Sequence, residues 1–338
     1  MRRWIAIWKP ERYHGPGGRK RNFFEGWYFK SVDRRGKHAV AVIPGVSLGG
    51  STQTAHAFIQ FVEAGCGRAG YFRFPLSEFR SAMSDFRVAI GPNRFSLDRL
   101  ILDLADGPRR VRGELRFSGM IPWPVRFFSP GVMGWYAFVP FMECYHGVLS
   151  FDHAIDGFLE IDGHRSDFSG GRGYIEKDWG RSMPAAWIWM QSNHFLEQGV
   201  SLFGSIAKIP WRGNFFTGFI FGFLHHGRVH RFATYTGARI VSLAEDGKRI
   251  SLVVADRRHG LEILADRRAG VDLPAPLLGE MSARVRETLR SSIAVRFFQR
   301  SGSGRRETIF SGTGEHAGLE FVGDIAVLKN GLPLKNCR

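Results

Sequence analysis

The chain has 338 residues, of which 44% are hydrophobic and 23% are charged, and its formal net charge at pH 7 is +16. A chain of this length and apolar content can bury a large core, which argues against a disordered or fibrous protein. The arginines are scattered, and no zinc-finger, helix-turn-helix or RNA-binding signature is present, so we expect no nucleic-acid partner and interpret the charge as a basic exterior.

The cysteines and apolar runs bear on the cell compartment. Cys66, Cys144 and Cys337 have no metal-ligand spacing and cannot all pair, so we expect neither a disulfide framework nor a metal site. No apolar run approaches the roughly 20 residues that cross a bilayer, and residues 1–9 lack the apolar core of a signal peptide. We therefore expect a cytoplasmic protein, with peripheral attachment to an anionic membrane surface as an alternative.

Taken in order, the first half of the chain reads as short strands separated by turn residues. From Asn22 the alternation places Phe23, Glu25, Trp27 and Phe29 on one side of a strand, so that Glu25 has aromatic neighbours. Residues 38–44, 54–63 and 110–117 are further strand candidates. Prolines at 122, 124 and 130 exclude an interior strand and predict a long loop over residues 121–130.

Residues 170–195 contain the densest combination of glycines, acids and tryptophans in the chain. If this stretch is extended, Tyr174, Glu176 and Asp178 share one face, because side chains alternate across a strand. The opposite face then carries Ile175, Lys177 and Trp179. After Met183 and Pro184 a second extended segment begins, and one face of it carries Trp187, Trp189, Gln191 and Asn193.

The second half continues in the same style. Residues 217–224 and 228–235 are predicted strands joined by a turn at His225-His226-Gly227, and residues 250–255 and 261–266 form a predicted hairpin. Met281, Val285 and Leu289 recur at helical spacing, which predicts one short helix. So many short strands with so little helix indicate an all-β sandwich or barrel.

Two motifs resemble those of a known family. Residues 23–30, which contain Phe-Phe-Glu-Gly-Trp-Tyr-Phe-Lys, resemble the entry motif of the tocopherol cyclase family. Residues 174–180, Tyr-Ile-Glu-Lys-Asp-Trp-Gly, followed by Met183-Pro184 and the Trp-Ile-Trp-Met-Gln-Ser-Asn run of residues 187–193, resemble its central motif. Residues 317–320 resemble its closing strand, and the resemblance extends over residues 8–328.

The resemblance implies two lipocalin-like antiparallel β-barrel or sandwich halves, related to hydroxyneurosporene synthase. We place the N-terminal half at 8–185, the C-terminal half at 186–328 and a tail at 329–338. It also implies ring closure of a prenylated hydroquinone to a chromanol, without a cofactor. Asp178 stands where plant-type members usually have asparagine, and residues 143–146, Glu-Cys-Tyr-His, lie in a region that differs among members.

Such a ring closure needs an acid that protonates a trisubstituted alkene, in a dry pocket whose aromatic walls stabilise the cation. The candidate catalytic acids are Asp178, Glu176 and Glu25. The candidate substrate-binding residues are Trp27, Tyr28, Trp187 and Trp189 as cation-facing walls, and His146, Gln191 and Asn193 as partners of the quinol hydroxyls.

Each candidate also has a structural interpretation. Glu176 and Asp178 are alternatively members of an ion-pair network with Arg172 or Arg181, Glu25 a buried partner of an arginine, and the tryptophans part of the core. At the level of function, the alternatives are a non-catalytic lipocalin-like carrier of a hydrophobic ligand and a hydratase of an isoprenoid alkene.

Overall fold

The computed structural model describes residues 7–15, 22–64, 67–82, 84–301 and 305–330. Cys66, Cys337 and the end of the expected tail, from residue 331, lie outside the described residues. Almost all regular structure in the described part is antiparallel β-sheet, and the all-β class predicted from the sequence is confirmed. Cys144 is a free thiol.

Twelve strands of the described residues form the first sheet. They are β1 (Phe23–Val32), β2 (Ala39–Leu48), β3 (His56–Glu63), β4 (Arg68–Pro75), β5 (Phe79–Ser81), β6 (Arg87–Ile90), β7 (Asn93–Ser96), β8 (Arg99–Asp106), β9 (Arg109–Ser118), β10 (Cys144–Ile161), β11 (His164–Asp167) and β12 (Gly171–Gly180). Their order is β4-β3-β2-β1-β12-β10-β9-β8-β7-β6-β5, with β11 paired to β10. Short 3-10 turns occupy Leu76–Glu78 and Gly134–Phe138, and residues 121–130 form a loop, as predicted.

Ten strands of the described part of the chain form the second sheet. They are β13 (Trp187–Ser192), β14 (Ser201–Trp211), β15 (Asn214–His225), β16 (Arg228–Ala233), β17 (Arg239–Glu245), β18 (Arg249–Ala255), β19 (His259–Asp266), β20 (Val271–Leu277), β21 (Glu280–Arg300) and β22 (Arg306–Val322). Their order is β16-β15-β14-β13-β22-β21-β19-β18-β17, with β20 paired to β21. The short helix α1 (Ile325–Asn330) follows. The predicted turn at residues 225–227 and the β18–β19 hairpin are both confirmed.

By its internal contacts the chain divides into two compact units. The first combines Met1–Met183 with Val271–Val285, and the second combines Pro184–Gly270 with Arg286–Arg338. The return of residues 271–285 to the first unit was not part of the prediction. Each unit has its own apolar core. Trp27 and Phe29 lie in the core of the first unit, and Ile188 and Met190 lie in that of the second.

The predicted helix at Met281, Val285 and Leu289 is wrong, because these residues lie in β21. A spacing of four residues is one helical turn, but it is also an even number of residues, which keeps side chains on one face of a strand. Val285 and Leu289 are buried on that face. Among the described residues, the structure contains no helix long and apolar enough to cross a bilayer.

One face of β12 is fixed by a buried ion pair. Lys177 Nζ lies 2.5 Å from Glu25 Oε1, and both side chains are fully buried. The ammonium also donates to the carbonyl oxygens of Pro10 and Arg12 and to His14 Nδ1. Glu25 in turn accepts hydrogen bonds of 2.9 Å from the backbone N–H of His14 at both oxygens.

Further contacts attach the segment before β1 to the sheet. The Trp27 indole N–H donates to the Glu11 carbonyl at 3.0 Å, and the His14 ring stacks on Trp179 at 4.3 Å. Burial lowers the pKa of Lys177 to about 8, although Glu25 opposes that shift. Glu25 is thus the buried ion-pair partner that the structural interpretation predicted, but of a lysine and not of an arginine.

Replacement of Lys177 by methionine should destabilise the first unit strongly, because it leaves the Glu25 carboxylate buried without its cation. We expect a loss of about 3–5 kcal/mol in the free energy of unfolding, measured by urea denaturation. The exposed Glu160–Arg112 pair is the matched control, and Glu160→Gln should cost less than about 1 kcal/mol. Equal effects of the two substitutions would contradict this role.

Candidate active site

The other face of β12 assembles a cluster of ionisable side chains. In the first sheet β12 lies between β1 and β10, and the register places Tyr28 opposite Glu176 and His146 opposite Asp178. Directly paired residues of antiparallel strands project to the same face of a sheet. The predicted separation of the Glu176 and Asp178 face from the Lys177 face is therefore confirmed.

His146 lies between the two carboxylates. Its Nδ1 is 2.7 Å from Asp178 Oδ1, and its Nε2 is 3.5 Å from Glu176 Oε2. The Tyr174 hydroxyl donates a 2.5 Å hydrogen bond to Glu176 Oε2. We call these four residues, Tyr174, His146, Glu176 and Asp178, the His146 cluster.

Burial differs across the cluster. Tyr174 is fully buried and Glu176 is 4% exposed, whereas the side chain of Asp178 is 26% exposed. A ligand that approaches the cluster therefore reaches Asp178 more readily than Glu176. This difference separates the two carboxylates that the sequence predicted together.

The carboxylates set the charge of His146. Burial by itself would lower the pKa of His146, but the charges and hydrogen bonds of Asp178 and Glu176 raise it to about 10. His146 is therefore an imidazolium at neutral pH, with a proton on each ring nitrogen. Burial, together with the Glu176 charge, raises the pKa of Tyr174 well above its ordinary value, so its hydroxyl stays a donor.

Cys144 and Gly180 lie where the cluster meets the end of β12. Cys144 Sγ is 3.7 Å from Asp178 Oδ1, and burial, reinforced by Asp178, raises the pKa of the thiol well above its ordinary value. Cys144 therefore acts as a weak donor and not as a thiolate nucleophile.

Gly180 has a φ of +153°, and a Cβ there would lie 2.3 Å from the Glu143 carbonyl oxygen, so only glycine permits this close approach of β12 to β10.

The structure does not bring all predicted site residues of the first unit together. Glu176, Asp178, Tyr28 and His146 share one face of the sheet, with His146 held between the predicted acids. Glu25 and Trp27 project to the opposite face. Trp27 is fully buried there, and its ring stacks on Phe86 at 5.3 Å. The expected ion-pair partner Arg172 instead binds Asp152.

The remaining predicted residues belong to the second unit. Trp187, Trp189 and Gln191 are buried on the face of β13 opposite Ile188 and Met190, in the alternation that the sequence predicted. The Trp187 indole N–H donates to Glu320 Oε2 at 2.7 Å. Asn193 Oδ1 lies 3.5 Å from Gln191 Nε2 and 2.9 Å from His194 Nδ1. Substrate contacts for these residues remain predictions from the sequence.

In the part of the chain that the structure describes, two groups of side chains carry metal-ligating atoms within 4.8 Å of one another: His146 with Glu176 and Asp178, and Glu197 with His225 and His226. In the first group the imidazole is held protonated by the carboxylates, and a metal has to displace that proton in order to bind.

Three residues on or beside β12 make contacts that the sequence did not predict. Tyr174 was placed on the correct face, but its bond to Glu176 was not anticipated. Lys177 was assigned only to the opposite face, although a lysine between alternating apolar positions signals a buried partner. The contact of Cys144 with Asp178 depends on the β10–β12 register, which no local signal gives.

The raised pKa of His146 predicts a pH-dependent contribution to stability. A group whose pKa is higher in the folded than in the unfolded state stabilises fully below the unfolded value, near 6.5, and loses that effect as pH rises through about 10. The difference in unfolding free energy between wild type and His146→Gln, measured by urea denaturation, should therefore shrink from pH 6.5 to 10. A difference that stays constant over this range would show that His146 is not held as an imidazolium.

The sequence of this chain is similar to those of two curated proteins. The chain is 30% identical over 108 residues to the probable chloroplastic tocopherol cyclase of Oryza sativa subsp. japonica and to the chloroplastic tocopherol cyclase of Zea mays. In both cases the match covers 31% of this chain and 23% of the relative, so it spans about a quarter of the length of these relatives.

Among solved structures, the crystal structure of CghA with Sch210972 superimposes with a TM-score of 0.54 at 12% sequence identity, with 89% of each chain covered. At this identity the likeness concerns the fold alone. The sequence pattern of the family described as tocopherol cyclase-like matches residues 108–323, which is more than half of the chain and includes His146, Tyr174, Glu176 and Asp178. The chain belongs to the tocopherol cyclase-like family.

Proposed function

We propose that this protein is a cofactor-independent isomerase that protonates the alkene of a prenylated hydroquinone, or of a related isoprenoid, and closes a ring. The observation that carries this proposal is the His146 cluster: a buried imidazolium in contact with two carboxylates, one of which is accessible. Ionisable groups whose pKa values are strongly perturbed concentrate at functional sites.

The proposed reaction needs two proton transfers. Asp178 delivers to the less substituted alkene carbon the proton that the His146 imidazolium passes to its carboxylate, which leaves a neutral imidazole and a tertiary cation. The phenol oxygen then forms the new C–O bond, and the phenolic proton returns through the Asp178 carboxylate to His146 Nδ1. Substrate and product have the same composition, and the acid is regenerated without an oxidant or a second substrate.

In this proposal each member of the His146 cluster has a role. The His146 imidazolium, 2.7 Å from Asp178, supplies the proton that Asp178 delivers to the alkene. Glu176, held by the Tyr174 hydroxyl, contacts the second ring nitrogen and so orients the imidazole. Tyr28 lies on the same face and offers an aromatic face to the developing cation.

The cost of burying charge favours an enzyme over a carrier. Tyr174 and Glu176 are almost completely buried with the imidazolium beside them, and burial of charged groups is costly unless they are well paired. A carrier of an apolar ligand gains nothing from this arrangement. A hydratase could use the same acid step, with water in place of the phenol capturing the cation, and the experiment below separates the two reactions.

The reaction is tested by incubation of the purified protein in heavy water with a panel of prenylated hydroquinones and linear isoprenoids, followed by chromatography and mass spectrometry. Ring closure should give a product with the substrate's composition and one carbon-bound deuterium from solvent. Hydration adds the mass of water as well. If every compound returns unlabelled, the proposal fails and the carrier alternative is favoured.

Asp178→Asn should lower the rate of deuterium incorporation by roughly 100-fold or more, the usual scale for loss of a general acid. Its matched control is Glu160→Gln, an exposed carboxylate on β10 paired with Arg112, which should leave the rate unchanged. Circular dichroism and urea denaturation check that both variants remain folded. An Asp178→Asn variant that retains the full rate would remove Asp178 as the acid.

Glu176→Gln distinguishes a positioning role from proton donation. Because Glu176 contacts His146 and is poorly accessible, we expect a smaller loss of rate than for Asp178→Asn, together with a lower pKa of His146. The rate is measured in heavy water, and the pKa of His146 by NMR titration. A lower rate with an unchanged pKa of His146 would contradict the positioning role.

A further inference from the structure

A hydrogen-bonded turn presents two phenylalanines to solvent. The backbone N–H of Arg126 donates to the Ser129 carbonyl and that of Ser129 donates to the Arg126 carbonyl, both at 3.0 Å. These reciprocal bonds close a turn with Phe127 and Phe128 at its tip. Their side chains are 71% and 79% exposed, although their rings lie only 4.9 Å apart. We call residues 126–129 the aromatic turn.

Contacts with other parts of the first unit hold the aromatic turn in place. The Trp8 indole N–H donates to the Phe127 carbonyl at 3.0 Å, and the Trp8 ring stacks on that of Phe127 at 5.7 Å. At the base of the loop, Trp123 is buried and stacks on Phe151 of β10. The apolar tip is therefore held outward by specific contacts instead of collapsing onto the protein.

The segment that contains the aromatic turn is apolar and has no acidic residue. Residues 119–142 contain no aspartate or glutamate, and their one charged residue is Arg126, within the turn itself. Val125, Trp135 and Phe141 of the same segment are also exposed. The whole chain carries a net charge of +16.

These features suit a lipid surface better than a protein partner. A stable protein interface needs roughly 800 Å² from each partner, more than a two-residue tip supplies. A bilayer surface, in contrast, accepts a convex apolar tip among its acyl chains, and aromatic rings favour the interfacial zone. Arginine beside the tip and a basic protein surface are complementary to anionic headgroups.

We propose that the aromatic turn inserts into the surface of an anionic lipid bilayer and docks the protein there. The turn belongs to the segment that leads into β10, where the Tyr145 hydroxyl donates to the Val139 carbonyl and His146 follows next in the chain. Docking does not depend on the proposed cyclisation. It brings β10, which carries His146, to the lipid phase in which prenylated molecules dissolve.

The test is co-sedimentation of the full chain with vesicles of phosphatidylcholine alone and with phosphatidylglycerol added. Wild type should bind the anionic vesicles, and binding should weaken as salt rises. The double variant Phe127→Ser/Phe128→Ser should reduce binding at least about tenfold, because it removes two apolar side chains from the bilayer. Leu196→Ser, which removes a fully exposed leucine of the second unit, is the matched control and should bind as wild type does.

Three results would overturn the docking proposal. One is absence of wild-type binding to anionic vesicles, and another is unchanged binding by the Phe127→Ser/Phe128→Ser variant. The third is concentration-dependent self-association of the wild type in analytical ultracentrifugation that the double variant abolishes, since a second copy of the chain would then cover the turn. Circular dichroism shows whether the variant is folded, and none of these readouts requires turnover.

Discussion

The candidate site and the core of the first unit both depend on the position of β12 between β1 and β10. Because side chains alternate along a strand, β12 places Lys177 on the core face and Glu176 and Asp178 on the other. A shift of one residue in register would exchange these faces and bury both carboxylates in the apolar core. The Glu25–Lys177 ion pair opposes such a shift, since only one register joins two fully buried opposite charges.

The two clusters of buried charge therefore have different roles in the first unit. On the core face, the Glu25 carboxylate and the Lys177 ammonium satisfy each other and attach the preceding segment through His14. On the opposite face, His146 satisfies two carboxylates and leaves one of them accessible. The first arrangement fixes geometry, and the second retains a titratable group that a substrate can reach.

The sequence predicted what depends on local alternation and missed what depends on distant pairing. Alternation placed Glu176 and Asp178 together and indicated the all-β class. It could not identify His146 as their partner, because that contact crosses 32 residues and needs the β10 register. It misassigned residues 281–289 because a four-residue spacing fits both a helix and a strand face. Alternation also does not separate Glu25 from the other candidate acids, because it does not show which face of the neighbouring strand each side chain shares.

Nitrogen-15 NMR of the histidine side chains from pH 6 to 11 shows whether Asp178 and Glu176 hold His146 as an imidazolium at neutral pH. His146→Gln assigns the resonance. We expect protons on both ring nitrogens at pH 8, a pKa of His146 of about 10, and a lower pKa of His146 in Asp178→Asn. A neutral His146 ring at pH 8, with a transition near 6.5, would show that the two carboxylates do not hold it protonated.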